Sequence, residues 1–244
     1  MRAIGKSEIG MCRTKNEDAI FISDDNFPFK NLFIVADGMG GYNAGEVASA
    51  SAIQAFLGYV KKEWEITEKK SEVLDFLVEG VSVSNHAVYH KSKDSEEFAE
   101  MGTTFVVATI QEHKLFVAYV GDSRVYVLRE DELRQITTDH SYVMELVRLG
   151  NITIEEAAVH PQRNIITRAV GTKKTVEADT SIEDLQDGDM ILMCSDGLST
   201  MLTDTEMKEI LKKGADLEAK AQELVDCANK KGGHDNISLV LIEE

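Results

Sequence analysis

Between Thr104 and Ile136 four apolar, largely β-branched runs follow one another: Thr104–Ile110, Leu115–Val120, Arg124–Leu128 and Leu133–Ile136. No more than four residues separate any two neighbours. Parallel strands need a crossover of a dozen or more residues, so these links predict antiparallel hairpins and exclude a doubly wound parallel sheet here. Further strand candidates are Ala19–Ser23, Leu32–Ala36, Met190–Cys194 and Ile237–Ile242. Asn43 with Glu46 reads as a capping box, and Ala50, Ile53, Leu57 and Val60 then continue a helix of about 20 residues. Leu74, Leu77, Val81 and Val88 mark a second helix, and Thr203 with Glu206 caps a third that runs to about Lys213. A fourth spans roughly Asp216 to Lys230 and stops at Gly232-Gly233. Residues 139–170 carry a weaker pattern: a short helix ended by Gly150, another capped by Thr153 and Glu156, and a break at His160-Pro161. This segment reads as a surface flap. An antiparallel centre with helices early and late predicts an α+β fold in which helices cover the outer faces of the sheets.

The chain has 244 residues, only two prolines, Pro28 and Pro161, and no Ser/Gly/Pro-rich linker. One domain over 1–244, with a core that needs no staples, is the expectation. A net charge of −17 argues against nucleic acid and against an anionic membrane surface as partners. The apolar runs are far shorter than the roughly 20 residues of a membrane span, so no membrane insertion is expected. The first eight residues lack the apolar stretch of a secretory signal. Cys12, Cys194 and Cys227 are scattered without CxxC spacing, as expected of reduced, mostly buried thiols in a cytoplasmic protein. No long apolar seam is present, which favours a monomer.

Most of the 43 acidic residues fit solvated helix faces. Asp37, Asp122, Asp196 and Asp235 differ, because each sits beside the end of an apolar run, and the first and third are followed by Gly38 and Gly197. One Asp-Gly pair is usually an ordinary turn. Two such pairs, with Asp122 in what reads as a tight hairpin and Asp235 before the last strand, suggest a ligand set. Glycine is expected to let the backbone turn so that its carbonyl joins the carboxylate, and hard cations such as Mg²⁺ or Mn²⁺ favour such oxygens. Without a cation, clustered carboxylates would repel one another and take up protons. Arg13, near Asn16-Glu17-Asp18, offers a planar fork that suits phosphate if it folds toward the acids; by itself it is a surface arginine. Nucleotide motifs fail, since Asn43 stands where GxGxxG needs Gly, and Glu46-Val47 follows Gly45 where a P-loop needs Lys-Ser/Thr. His86 and His90 lack the HExxH pattern, and no Gly-x-Ser-x-Gly elbow indicates a covalent nucleophile.

In order, the chain carries Arg13-x-x-Asn16-Glu17-Asp18, Ala36-Asp37-Gly38-Met39-Gly40-Gly41, Met101-Gly102-Thr103-Thr104, Gly121-Asp122-Ser123-Arg124, Ser195-Asp196-Gly197 and His234-Asp235-Asn236. This set resembles the metal-dependent PPM family of protein serine/threonine phosphatases in its short bacterial form. Asp139-His140-Ser141 and His160-Pro161-Gln162-Arg163-Asn164 resemble the family's flap. The resemblance implies a four-layer α-β-β-α sandwich of two antiparallel sheets, with metals in a cleft at one edge. It implies that Asp37 bridges two Mn²⁺ or Mg²⁺ ions, that the Gly38 carbonyl binds the second, and that Asp196 and Asp235 hold the first. Glu17 and Asp18 would act mostly through water, Asp122 with Asp196 would form a weaker third site, and Arg13 would grip the phosphate. The implied reaction is hydrolysis of phosphoserine and phosphothreonine by a water held between the cations, opposing a bacterial Ser/Thr protein kinase on that kinase's substrates.

One departure is Tyr42, where the family pattern has a histidine proposed as general acid. Tyrosine, with an ordinary pKa near 10, is the poorer acid at neutral pH, so Tyr42 is either a substitute donor or a cleft-lining side chain. Two other readings stay open at this point: a metallo-phosphoesterase for small molecules, and a family-like binding module that has lost catalysis.

Overall fold

Leu32 to Ala36 is an unbroken apolar run because its strand is buried on both faces. Leu32, Ile34 and Ala36 enter a core shared with helices, while Phe33 and Val35 enter another between two sheets. Met190 to Cys194 alternates in the same way. Such runs are expected of strands sandwiched between two layers.

The computed structural model describes residues 1–40, 44–64 and 73–244. One antiparallel sheet has the order β1 (Arg2–Glu8), β11 (Ile237–Glu243), β10 (Met190–Cys194), β7 (Arg124–Arg129), β8 (Glu132–Gln135). The other runs β2 (Asp18–Ile22), β3 (Leu32–Met39), β5 (Phe105–Gln111), β6 (Lys114–Val120), β9 (Asp179–Asp184), with the two-residue β4 (Gly102–Thr103) paired to the end of β3. Val35, Val106 and Val117 of the second sheet meet Val125, Ile191 and Val240 of the first in the middle core. Helices α1 (Ala44–Glu63) and α2 (Val73–Lys91) cover one outer face through Ala52, Phe56, Leu77 and Val81. Helices α6 (Asp204–Leu211) and α7 (Leu217–Lys230) cover the other through Met207, Leu211, Ala221 and Leu224. The layering is the expected α-β-β-α. Thr203 closes a capping box with Glu206, and Asp216 caps α7 by accepting from the Ala219 amide.

Two hairpins of the centre form as expected, β5 with β6 and β7 with β8. The middle one does not: β6 and β7 lie in different sheets, and Gly121 to Ser123 carry the chain between them. Three extended residues reach about 10 Å, the spacing of stacked sheets as readily as a step to a neighbouring strand. Gly121 takes the left-handed φ of +110° at this corner, where a Cβ would stand 2.6 Å from Thr104. Asp122 therefore sits at a sheet-to-sheet crossover rather than in a hairpin. The sequence pattern also misses the two-residue β4 and the edge strands β1 and β9, whose segments hold few apolar residues. The expectation of mostly buried thiols fails at Cys12, which is exposed; Cys194 is buried and Cys227 half-buried. Tyr42 and the Asn43 cap lie outside the described residues.

The flap consists of α3 (Tyr142–Arg148), capped by Ser141, and α4 (Ile154–Ala158), capped by a Thr153–Glu156 box. It is tied at its base by Tyr142 N to Ile165 O at 2.8 Å and Thr167 N to His140 O at 2.8 Å.

Candidate active site

The four layers bring one end of each sheet to a common edge, and the acids of the sequence pattern gather there. Asp18 opens β2 and is in register with Asp37 near the end of β3. Asp37 is fixed through its backbone: its amide donates to Thr104 Oγ1 at 2.9 Å, and its carbonyl accepts from Thr103 Oγ1 and Thr104 N, both at 2.8 Å. From the other sheet come Asp196, first residue of the short helix α5 (Asp196–Ser199) after β10, and Asp235, just before β11. Ser195 joins the sheets: its hydroxyl donates to Asp18 Oδ2 at 2.8 Å and accepts from the Ser238 amide at 3.0 Å.

The two Asp-Gly pairs turn out not to be turns. Gly38 lies within β3 and Gly197 within α5, and glycine is required at each because another backbone passes close by. A Cβ on Gly38 would stand 2.1 Å from the Gly45 carbonyl oxygen and 2.4 Å from that of Glu17. On Gly197 it would stand 2.0 Å from the Asn236 carbonyl oxygen. The expected bend is thus replaced by close contact, which the same residue type satisfies for a different reason.

Charge dominates the chemistry. Burial, then repulsion from Asp18, Asp196, Asp122 and Asp235, raises the Asp37 carboxyl well above the ordinary range. Burial pushes Asp18 up to about 7, although hydrogen bonds from Ser238 and Ser195 hold it back. Asp122 rises to about 8 through burial and the charges of Asp196 and Asp139, and Asp196 rises to about 6 through burial and Asp235. Asp122 Oδ1 is buried with no hydrogen-bond partner. Carboxylates gathered in this way either hold protons or hold cations, and the oxygen-only donor set suits Mg²⁺ or Mn²⁺. Among the described residues no three His, Cys, Asp or Glu side chains close on one ion by themselves. A cation there would complete its shell with backbone carbonyl and water, as a hard ion that retains waters does.

Arg13 meets the group from the 9–17 loop, with Nη2 2.7 Å from Asp235 Oδ2. Burial works against its charge, but Asp235, Glu17 and Asp37 outweigh it and raise its pKa. The loop is held by Asn236, whose Nδ2 donates to Ile9 O at 3.0 Å and Lys15 O at 2.8 Å while its Oδ1 accepts from the Glu17 amide at 2.8 Å. Glu17 packs beside the first turn of α1, where a Cβ on Gly45 would be 2.6 Å from its Oε1. All seven expected residues, Arg13, Asp18, Asp37, Gly38, Asp122, Asp196 and Asp235, thus lie along this edge or at the corner facing it. Ser195, Thr104 and Asn236 stand within the motifs of the sequence pattern, but that pattern gave them no role of their own.

The model of the family described as protein phosphatase 2C matches residues 10–241. The chain belongs to the protein phosphatase 2C family. A serine/threonine phosphatase, stp, of Listeria monocytogenes is 41% identical over 100% of this chain and 96% of its own length. A solved serine/threonine phosphatase of S. agalactiae superposes with a TM-score of 0.90 at 35% identity, covering 100% of this chain and 99% of its own. Another solved relative, the catalytic domain of PstP in complex with two manganese ions, has a TM-score of 0.84 at 34% identity, covering 98% and 96%. The fold of this protein phosphatase 2C chain is therefore the family's two-sheet sandwich, and the family is metal-dependent.

Proposed function

We propose that this phosphatase hydrolyses phosphoserine and phosphothreonine esters of proteins with the help of two Mn²⁺ or Mg²⁺ ions. The observation that carries the reading is the meeting of Asp18, Asp37, Asp122, Asp196 and Asp235 from both sheets, the first four with proton affinities raised by burial and by neighbouring carboxylates, beside the guanidinium of Arg13. When bound, such ions supply Lewis acidity and a water acidic enough to attack at neutral pH. Asp37, the Gly38 carbonyl, Asp196 and Asp235 would hold the pair, with Asp18 in support and Asp122 with Asp196 as a weaker third position. The raised proton affinities of Asp37, Asp196, Asp18 and Asp122 mean that metal uptake displaces protons, so affinity climbs with pH.

Arg13 has five N–H donors and Asp235 engages only part of the fork, which leaves the remainder for phosphate oxygens. With a net charge of −17, the protein repels a phosphate dianion until cations and Arg13 reverse the field locally. The donor to the departing serine or threonine oxygen is tested at position 42: Tyr42→Phe should slow phosphopeptide turnover more than turnover of an activated aryl phosphate if the phenol supplies that proton. The physiological counterpart on this reading is a Ser/Thr protein kinase acting on the same phosphoproteins in the cytoplasm. No described helix is long and apolar enough to cross a membrane.

Phosphate release from a phosphothreonine peptide, measured with Mn²⁺, with Mg²⁺ and with excess chelator, tests the proposal. Turnover that survives chelation overturns it, and stronger competition by free phosphorylated metabolites than by phosphopeptides would move the substrate class to small molecules.

A further inference from the structure

Five of the nine exposed large apolar side chains among the described residues lie on the flap: Tyr142, Leu149, Ile154, Val159 and Ile165. None of residues 141–165 belongs to the three apolar cores of the sandwich. Helices α3 and α4 also form one wall of a cleft of about 670 Å³, through Met144, Ile154 and Ala157. Met201 and Leu202, just beyond α5, stand on the other side. Asp122 and Asp196 belong to the same lining, so the cleft is continuous with the carboxylate site. It is larger than one phosphate group requires and falls within the roughly 300–1,000 Å³ of ligand pockets.

The polar part of the lining narrows the choice of occupant. Arg124 and Asp139 both face the cleft but neutralise each other in a two-pronged pair, Nε to Oδ1 at 3.0 Å and Nη2 to Oδ2 at 2.7 Å. Asp204 and Arg163 add one charge of each sign, so outside the carboxylate site the lining carries no net charge. A charged neighbour of the phosphorylated residue finds no net opposite charge there, whereas an apolar one covers Ile154 and Met144.

We infer that this cleft receives an apolar side chain that flanks the phosphorylated residue of the substrate protein, an inference that rests on the protein-phosphatase reading above. The walls then set substrate preference while the carboxylate edge performs the hydrolysis. A phosphothreonine peptide of otherwise small residues, with a single leucine moved along it, tests this with the Mn²⁺-loaded full chain. Leucine at one position should lower KM about 10-fold relative to alanine, and glutamate there should give no such gain. Ile154→Asp, a change at an exposed position, and Met144→Ala should each erase the preference while kcat holds. With p-nitrophenyl phosphate, too short to reach the walls, both variants should match the wild type.

A wild type without positional preference overturns the inference, as does an equal loss by the variants on peptide and aryl phosphate. A light-scattering mass that falls in Ile154→Asp with peptide preference intact would assign the apolar wall to a second copy of the chain and likewise overturn it. Wild type that cleaves aryl phosphate but no phosphopeptide refutes the protein-phosphatase reading, and with it this one.

Discussion

The carboxylate edge and the flap face the same cleft and are built on opposite plans. At the edge, bonds from residues distant in sequence fix the main pieces: Asp37 by Thr103 and Thr104, Asp18 by Ser195, and the Arg13 loop by Asn236. The flap is secured chiefly at its base and leaves Leu149, Ile154 and Val159 more than half exposed. Like charges must be held together against their repulsion, whereas a surface that meets varied protein substrates gains from few internal constraints. The difference implies that loss of a support of the edge, such as Asn236, lowers the stability of the whole molecule, whereas damage at the flap stays local.

The largest expected effect is at Asp37. Asp37→Asn should lower kcat on aryl phosphate and phosphopeptide alike by about 10³-fold or more, with circular dichroism unchanged. Its metal-free form should melt no lower than the wild type, since a crowded carboxyl has become a neutral amide. A variant that retains a tenth of the activity would contradict the metal-holding role of Asp37. Next in size is Asn236→Ala, which removes a buried side chain that joins three backbone groups. It should cost about 2–4 kcal/mol in urea unfolding and lower activity through the loosened Arg13 loop; a midpoint equal to wild type would refute the claim that Asn236 organises the edge.

The pH dependence is smaller and has a defined sign. The folded carboxyls of Asp196, Asp18 and Asp122 sit at about 6, 7 and 8 against an ordinary 3.8, so the metal-free protein binds more protons folded than unfolded. That stabilisation is fully present below about pH 4 and is lost as pH rises through about 8. Melting with chelator should therefore fall across this range, and the gain on adding Mn²⁺ should be greater at pH 8 than at pH 6. A gain that shrinks with pH would show that the acids are already ionised without metal. The smallest effect belongs to the flap: Thr153→Ala should weaken α4 by about 1 kcal/mol, and amide exchange of 154–158 should speed about five-fold. The global urea midpoint should stay in place, and a matching global loss would mean that the flap is part of the cooperative core.

The acids of the edge were legible in the sequence because carboxylates at the ends of apolar runs are unusual for strands buried on both faces. Their supports were not, since Ser195 and Thr104 are of types common in any loop and gain meaning only when distant strands arrive. The four layers were partly legible through unbroken apolar runs such as Leu32–Ala36. The sheet switch after Val120 was hidden because a three-residue link suits a hairpin and a crossover equally. The reason for Gly38 and Gly197 was hidden too, because a glycine that makes a bend and one that admits a passing backbone look the same in one dimension.

The ladder that pairs Arg2 with Glu243 and Glu8 with Ile237 has a consequence for how the molecule comes into being. Strand β1 is made before β11, more than two hundred residues later, and until then it has no partner in its sheet. The loop with Arg13 shares that wait, because Asn236 and Asp235 fasten it from the far end of the sequence. Contacts so distant along the chain form late. A nascent chain thus lacks the assembled carboxylate edge until β11 has been made, and acquires it only when these two segments, distant in sequence, meet.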